Sequence, residues 1–409
     1  MRRKIVYLMV VALVAMVFSA VPMSVSATWT GDVTILSDGT VDPANAPIHV
    51  KGMKYTLTDD ILGSITIKMS GITLSGEGYT IEGTGSGPGI LMIGLSGVTV
   101  KDCVVKNFNI DIVVVNCDTS TIKGNMVSDT GDSGIYLIGS NGNTIKENKA
   151  WNNYWEGIWL EKSSNNIIKE NEAWKNGEAG IFLWYSSNNN VIKDNNLHEN
   201  GGPTWGAGVF LMYSCDNNLI KDNDASTKNG VGIAISDDSC NNIVTGNKIF
   251  HNLGGGIYVQ YDSNNNMITK NTIFKCPGYG QSGIRLLFSS GNTVSQNSVS
   301  KTYCGLLIVS NALDNGNIVF ENTFRNNFRG LYFIGGGNNI IHHNNIIHND
   351  KQVEDNSAGN QYDDGSEGNY WSDYKGKDAD NDGIGDIPYI IYGTASEQDN
   401  YPLMKPWNW

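Results

Sequence analysis

Charge, proline and basic side chains are all scarce in this 409-residue chain. Charged residues make up 17%, prolines number 9, and 28 Lys and Arg stand against 41 Asp and Glu. The resulting formal charge of −13 excludes nucleic acid or an anionic lipid surface as partner, because clustered Lys and Arg carry such binding. It suits bound divalent cations and neutral sugars. Asn-x-Ser/Thr sequons are also missing, so the many asparagines are structural rather than glycan sites. Scarce proline beside 48 glycines and abundant asparagine is poor helix material, since Gly and Asn both lose to Ala in a helix interior. It fits turn-dense β structure. No catalytic signature stands out, and no residue is marked as a nucleophile.

Arg2, Arg3 and Lys4 precede the apolar run Ile5 to Ala20, and Val25-Ser26-Ala27 is a small-residue cleavage site. Residues 1–27 therefore read as an export signal. The alternative is an uncleaved membrane anchor, for which the run is short against the ~20 residues of a full span. Membrane contact is expected through this segment alone. Cleavage removes three basic residues and no acidic one, leaving −16. A secreted or cell-surface location follows, where the six remaining cysteines are free to form disulfides.

Self-similarity decides the fold. The hexapeptide Asn-x-(Ile/Val)-x-x-Asn recurs as NTIKEN (143–148), NIIKEN (166–171), NVIKDN (190–195), NLIKDN (218–223), NIVTGN (242–247), NMITKN (266–271), NTVSQN (292–297), NIVFEN (317–322) and NIIHHN (339–344). A second marker keeps step with it, from GIYL (134–137) and GIWL (157–160) to GLLI (305–308) and GLYF (330–333). Most repeats span about two dozen residues, and insertions fall in polar stretches such as GGPTWGA (201–207) and CPGYGQS (276–282). Each repeat supplies short strands whose alternate side chains face opposite ways. One repeat cannot bury its apolar row alone; stacking repeats ~4.8 Å apart can. Asparagine tolerates the left-handed turn conformation, and a stacked column of amides can hydrogen-bond along its length. A disordered Asn-rich tract is excluded because apolar residues are phased to the Asn throughout. A leucine-rich horseshoe is excluded because its leucine pattern is missing.

The expected fold is all-β, a single-stranded parallel β-helix of 11–12 coils and ~50 Å of rod. Residues 28–60 form an N-terminal cap, 61–350 the repeats and 351–409 a C-terminal cap. The repeats resemble those of the NosD-like right-handed parallel β-helix proteins, with carbohydrate-binding and sugar-hydrolase (CASH) repeats, over about residues 50–350. The tail GNYWSDYKGKDADNDGIGDIPYII (368–391) with DNYPLMKPW (399–407) is similar to the ending of NosD-like archaeal surface proteins. The resemblance supplies the right-handedness. It also implies either a part in copper-site maturation in an exported reductase or, from other β-helix families, a lyase, epimerase or glycosidase activity.

Function is expected on the residues that break the repeat. Asp378, Asp380 and Asp382 alternate, Gly383 permits a sharp turn, Ile384 offers a carbonyl and Asp386 closes the loop. This spacing supplies most of the six to eight oxygens that calcium takes. The loop resembles EF-hand-like or dockerin-like loops, but Tyr389 stands where a bidentate Glu is usual. A structural calcium that locks the cap is expected. The alternative is a solvated acidic turn.

An outward aromatic stripe is expected at Tyr136, Trp159, Phe182, Phe210 and Tyr258, joined by Trp184 and, at its edge, Glu161. Exposed rings at a ~5 Å repeat can stack on sugar faces, unless a loop, the tail or another subunit covers them. A second column runs Trp151, Trp174, His198, Phe250 and Phe274. Glu161, Asp237, Asp238 and Asp262, with Arg285, are candidates for glycosidase or lyase chemistry, with solvated turns the alternative. His342, His343 and His348 have imidazoles that suit copper. Adjacent strand residues point apart, however, so these three read as ordinary surface histidines. Cys215 with Cys240, and Cys276 with Cys304, are expected within disulfide range; Cys103 and Cys117 lie at different corners. The leading expectation is a non-catalytic β-helix that binds extracellular or cell-surface polysaccharide. The alternatives are a polysaccharide lyase, hydrolase or epimerase on the same face, or an accessory protein in copper-site assembly.

Overall fold

The computed structural model describes residues 28–202, 206–276, 280–311, 316–394 and 396–408. The export signal read at 1–27 lies outside them. Among the described residues the chain is all β, a parallel solenoid of about 13 turns, or ~60 Å of rod at the usual strand spacing. Parallel pairing begins at Trp29–Thr30 and Val33–Ile35 and ends at Lys351–Ser357 and Tyr370–Trp371. The extra turns over the expected 11–12 come from early coils that lack the Asn marker.

Each coil lays one strand on each of three faces. One face is a fifteen-stranded sheet and one a fourteen-stranded sheet; the third is divided into eight and six strands. Single-residue pairings Asn196 to Asp224 to Lys248 bridge that division. Inward residues such as Ile158, Leu160, Ile168 and Ala173 are fully buried. They stack on Ile181, Leu183, Ile192 and Leu197 of the next coil. At the N-terminal end two antiparallel pairings fold over the first coil, Val41–Asp42 on Val33–Ile35 and Ile48–Lys51 on Lys54–Leu57. At the other end Trp371 is fully buried, stacks on Tyr389 at 4.3 Å and donates its indole N–H to the buried carboxylate of Asp399 at 2.8 Å.

Asparagine forms three ladders, one more than the hexapeptide shows. The two within the motif run Asn143-Asn166-Asn190-Asn218 and Asn148-Asn171-Asn195-Asn223, and both continue to the last coils. The third runs Asn153-Asn176-Asn200-Asn229-Asn252. In each, one amide oxygen accepts from the backbone and side-chain N–H of the Asn one coil below, as Asn195 does for Asn171 at 2.9 and 3.0 Å. The left-handed residue is not the ladder Asn. It is the residue before it, Glu147, Glu170, Asp194 or Lys270, with φ near 56° in each case. The Asn is chosen for its amide, and the turn is made next door. The glycine of the second marker is forced by close approach: a Cβ on Gly157 would sit 2.8 Å from the carbonyl oxygen of Gly180.

All six cysteines are free, so the expected disulfides are corrected. Cys215 stands three residues before its ladder Asn218, whereas Cys240 stands two before Asn242. That one-residue offset puts them on opposite sides of the wall. Cys215 joins a buried serine column, its N–H donating to Ser239 Oγ at 3.1 Å, while Cys240 aligns with Asp216 outside. Cys304 pairs in register with Ser282 and Arg329 rather than with Cys276.

Candidate functional site

The fifteen-stranded sheet presents two adjacent columns outward. One is Tyr136-Trp159-Phe182-Phe210-Ala234-Tyr258-Arg285, in direct register. The other, two residues on, is Ile138-Glu161-Trp184-Met212-Ser236-Gln260. From Tyr136 to Arg285 the first column covers ~29 Å.

The stripe is where the sequence puts it, but it is not uniformly exposed. Phe182 and Phe210 are each only 6% exposed, and Tyr258 is 5% exposed. With Ala179, Ala207 and Ala234 the two phenylalanines form a second apolar cluster outside the solenoid wall, roofed by Trp159, Trp184 and Met212. Tyr136 stacks on Trp159 at 4.2 Å, Trp159 meets Trp184 at 5.4 Å, and Phe182 meets Phe210 at 5.2 Å. The buried rings act as a platform, and Tyr136, Trp159 and Trp184 form its partly open surface. The sequence reading missed Tyr185 and Tyr213, which lie at the corner beyond. They stack on each other at 5.0 Å and flank Trp184 at 4.5 and 6.4 Å. Their pairing in adjacent coils was the available signal.

The cluster borders an open hollow of about 340 Å³ that acidic side chains also line. Trp155, Trp159, Trp184 and Tyr213 line it with Asp132, Glu156 and Glu178. Asp132, Trp155 and Glu178 stand one above another in successive coils, joined by backbone hydrogen bonds of 3.1 and 2.7 Å. Glu156 is 4% exposed and accepts from Ser133 Oγ at 2.6 Å. Burial pushes its carboxyl up to about 8. Burial also raises Glu178. Trp159 Nε1 is buried and has no hydrogen-bond partner among the described residues. These three acids were not picked out from the sequence, because they sit in the variable turn before the aromatic strand.

Further along the same face a hollow of about 360 Å³ is lined by Phe210, Ala234, Tyr258, Gln260, Tyr261 and Arg285. The Arg285 guanidinium lies over the Tyr258 ring at 3.8 Å and donates to Gln260 Oε1 at 2.7 Å. Glu161 is engaged rather than free: Tyr136 Oη donates to its Oε2 at 2.6 Å and Lys162 lies 3.2 Å away. Asp237, Asp238 and Asp262 occupy left-handed corner turns, outside both hollows. The column Trp151-Trp174-His198 stacks at 5.0 and 5.9 Å on the third face.

In the aspartate loop the carboxylates of Asp378, Asp380 and Asp382 lie within 4.8 Å of one another. Asp378 accepts from the N–H of Asp382 and Gly383 at 3.2 and 3.0 Å, and Gly383 has φ 95°. Asp386 accepts from the Ala379 N–H at 2.8 Å, and Ile384 bridges to Leu403. The histidine geometry departs from expectation. The Nδ1 atoms of His342 and His343 face each other at 2.6 Å. His348 is exposed at a different corner.

The sequence family described as a right handed β-helix region matches residues 88–249. The family described as periplasmic copper-binding protein (NosD) matches residues 237–376. No curated protein matches the sequence. Among solved structures, the A-module of the Azotobacter vinelandii mannuronan C-5 epimerase AlgE6 is similar at 14% identity, with a TM-score of 0.52, covering 69% of this chain and 84% of that one. PfbA, a surface adhesin of Streptococcus pneumoniae, is similar at 16% identity, with a TM-score of 0.50, covering 69% of this chain and 81% of that one. At these identities the likeness is one of fold.

Proposed function

Because the chain belongs to the NosD-like group of right-handed parallel β-helix proteins, we propose that it is an exported protein that holds an extended, uncharged or cationic glycan along its fifteen-stranded face. The observation that carries this reading is the outer aromatic cluster. Trp159, Trp184 and Tyr213 line a hollow outside the core, on a platform of buried rings. The partly open aromatic faces stand at one-coil intervals, which matches the apolar faces of a sugar chain. The basic and apolar start of the sequence supports export. A polysaccharide binding screen on the full chain tests the reading. Binding is expected, and Trp159→Ala or Trp184→Ala each weakens it about tenfold, or about 1.4 kcal/mol. Affinity equal to wild type in both variants overturns it.

A second reading has its own observation. A carboxyl that stays protonated to about pH 8 can donate a proton to a glycosidic oxygen, and Glu156 sits beside Asp132 and Glu178 in the same hollow. Released reducing ends or unsaturated products, lost in Glu156→Gln, support a hydrolase or lyase. Binding without product supports the first reading.

The aspartate loop is proposed as a structural calcium site. Converging oxygens of Asp378, Asp380 and Asp382 support it, with the Ile384 carbonyl and Asp386 as further ligands. Oxygen-only donors on a flexible loop suit that ion.

A further inference from the structure

The last coil brings together two imidazoles that strand alternation alone would separate. His342 ends the strand Ile340–His342, in register with Phe320, and its ring stacks on that phenyl at 5.6 Å. His343 falls on the corner position that carries Lys270, Gln296 and Glu321 in earlier coils, and like them it has positive φ, 55°. The left-handed turn swings its ring back, so that the two Nδ1 atoms meet at 2.6 Å. A third donor comes from the segment after the solenoid. A carboxylate oxygen of Asp364 and ring nitrogens of both histidines lie within 4.8 Å of one another.

The surroundings orient these groups. Glu367 Oε2 lies 2.8 Å from His343 Nε2; a carboxylate there accepts a hydrogen bond from Nε2–H, which favours the tautomer with its lone pair on Nδ1, facing His342. Asp364 Oδ1 accepts from the N–H of Ser366 and Glu367 at 2.9 and 2.8 Å, which fixes its carboxylate. Trp407 covers His343 at 4.0 Å, and the Trp407 N–H donates to Asn345 Oδ1 at 2.7 Å. One side stays open, because Asp364 is exposed and His342 half-buried.

We propose that His342, His343 and Asp364 form a binding site for a divalent transition-metal ion of the copper and zinc class, with Glu367 as the positioning residue for His343. Two imidazole nitrogens and one carboxylate suit those ions, whereas calcium and magnesium take oxygen sets. A carboxylate behind a ligating imidazole is the usual support for such a ring. The site lies on the fourteen-stranded sheet in the final coil, apart from the aromatic hollow, so the glycan reading can fail without it.

The test is titration of the full chain with Cu(II) alone and with Zn(II) alone, followed by dialysis and metal analysis. Cu(II) electron paramagnetic resonance reports nitrogen ligation. One retained equivalent of at least one metal is expected, with two nitrogen ligands when it is copper. His342→Gln and His343→Asn each remove it; Asn is chosen because it tolerates the left-handed corner. Glu367→Gln weakens affinity 10–100-fold, while Glu170→Gln, at an exposed corner of an earlier coil, leaves it unchanged. Unaltered thermal melting of the metal-free variants shows that they fold. Absence of a retained equivalent of either metal, or retention undiminished in the folded His342→Gln variant, overturns the proposal.

Discussion

Replacing Glu156 by glutamine should make the protein more stable, and only at high pH. The side chain is 4% exposed and its carboxyl is held neutral to about 8, whereas the same group in the unfolded chain ionises near 4.5. Below pH 4.5 both states are protonated and the contribution of Glu156 to stability is fully present. As pH rises, the unfolded chain releases its proton and the native one does not, so stability falls until the native carboxyl also ionises. The loss is about 1.4 kcal/mol per pH unit, up to about 5 kcal/mol by pH 8. Glutamine keeps the shape and the contact with Ser133 but has no charge to bury. Asp111, pushed up to about 9, and Asp399, pushed up to about 6, slope the same way. The difference between wild type and Glu156→Gln cancels them. Denaturant unfolding of both proteins at pH 4, 6 and 8 should show a gap near zero, then growing, with the variant the more stable. A gap that does not change with pH, or a variant less stable at pH 8, would refute the placement of Glu156 as a buried neutral acid.

Asn195→Ala leaves the Asn171 backbone and side-chain N–H groups, buried, without their acceptor. A loss of about 2–5 kcal/mol is expected in denaturant unfolding, and a loss under 0.5 kcal/mol contradicts the ladder's role. Native titration with a thiol reagent should modify Cys240 alone, and denatured protein without reductant should give six thiols; fewer would mean that disulfides form. Calcium should raise the melting temperature of the full chain, and Asp380→Asn with Asp382→Asn should abolish the rise. An unchanged melting temperature removes the calcium assignment.

The solenoid was legible because its signal is repeated: an error in one coil is corrected by the next. The columns Tyr136 to Tyr258 and Asn143 to Asn339 could be drawn from spacing alone. Reading fails where one residue shifts phase. Cys215 and Cys240 look equivalent until the distance to the ladder Asn is counted, and the offset turns one inward and the other outward. His342 and His343 obey alternation on paper, but the corner conformation of His343 cancels it. Glu156 was missed because the residue at its turn position changes from coil to coil, Ser133 before it and Ala179 after it. The burial of Phe182 and Phe210 was missed because alternation tells in from out, not what lies on top.

The three asparagine ladders make length a quantised property of this molecule. A single inserted residue within a strand would throw its columns out of phase until a corner absorbs the shift. A whole extra coil disturbs none of them, because the new amides accept from the coil below and donate to the coil above. Gly201, Gly202 and Gly206, like Cys276, Gly280 and Gln281, lie between strands, and odd residues are absorbed at such corners. A lineage built on this frame is free to lengthen or shorten its outer face by whole rungs, and each duplication delivers one more fixed step to whatever lies along it.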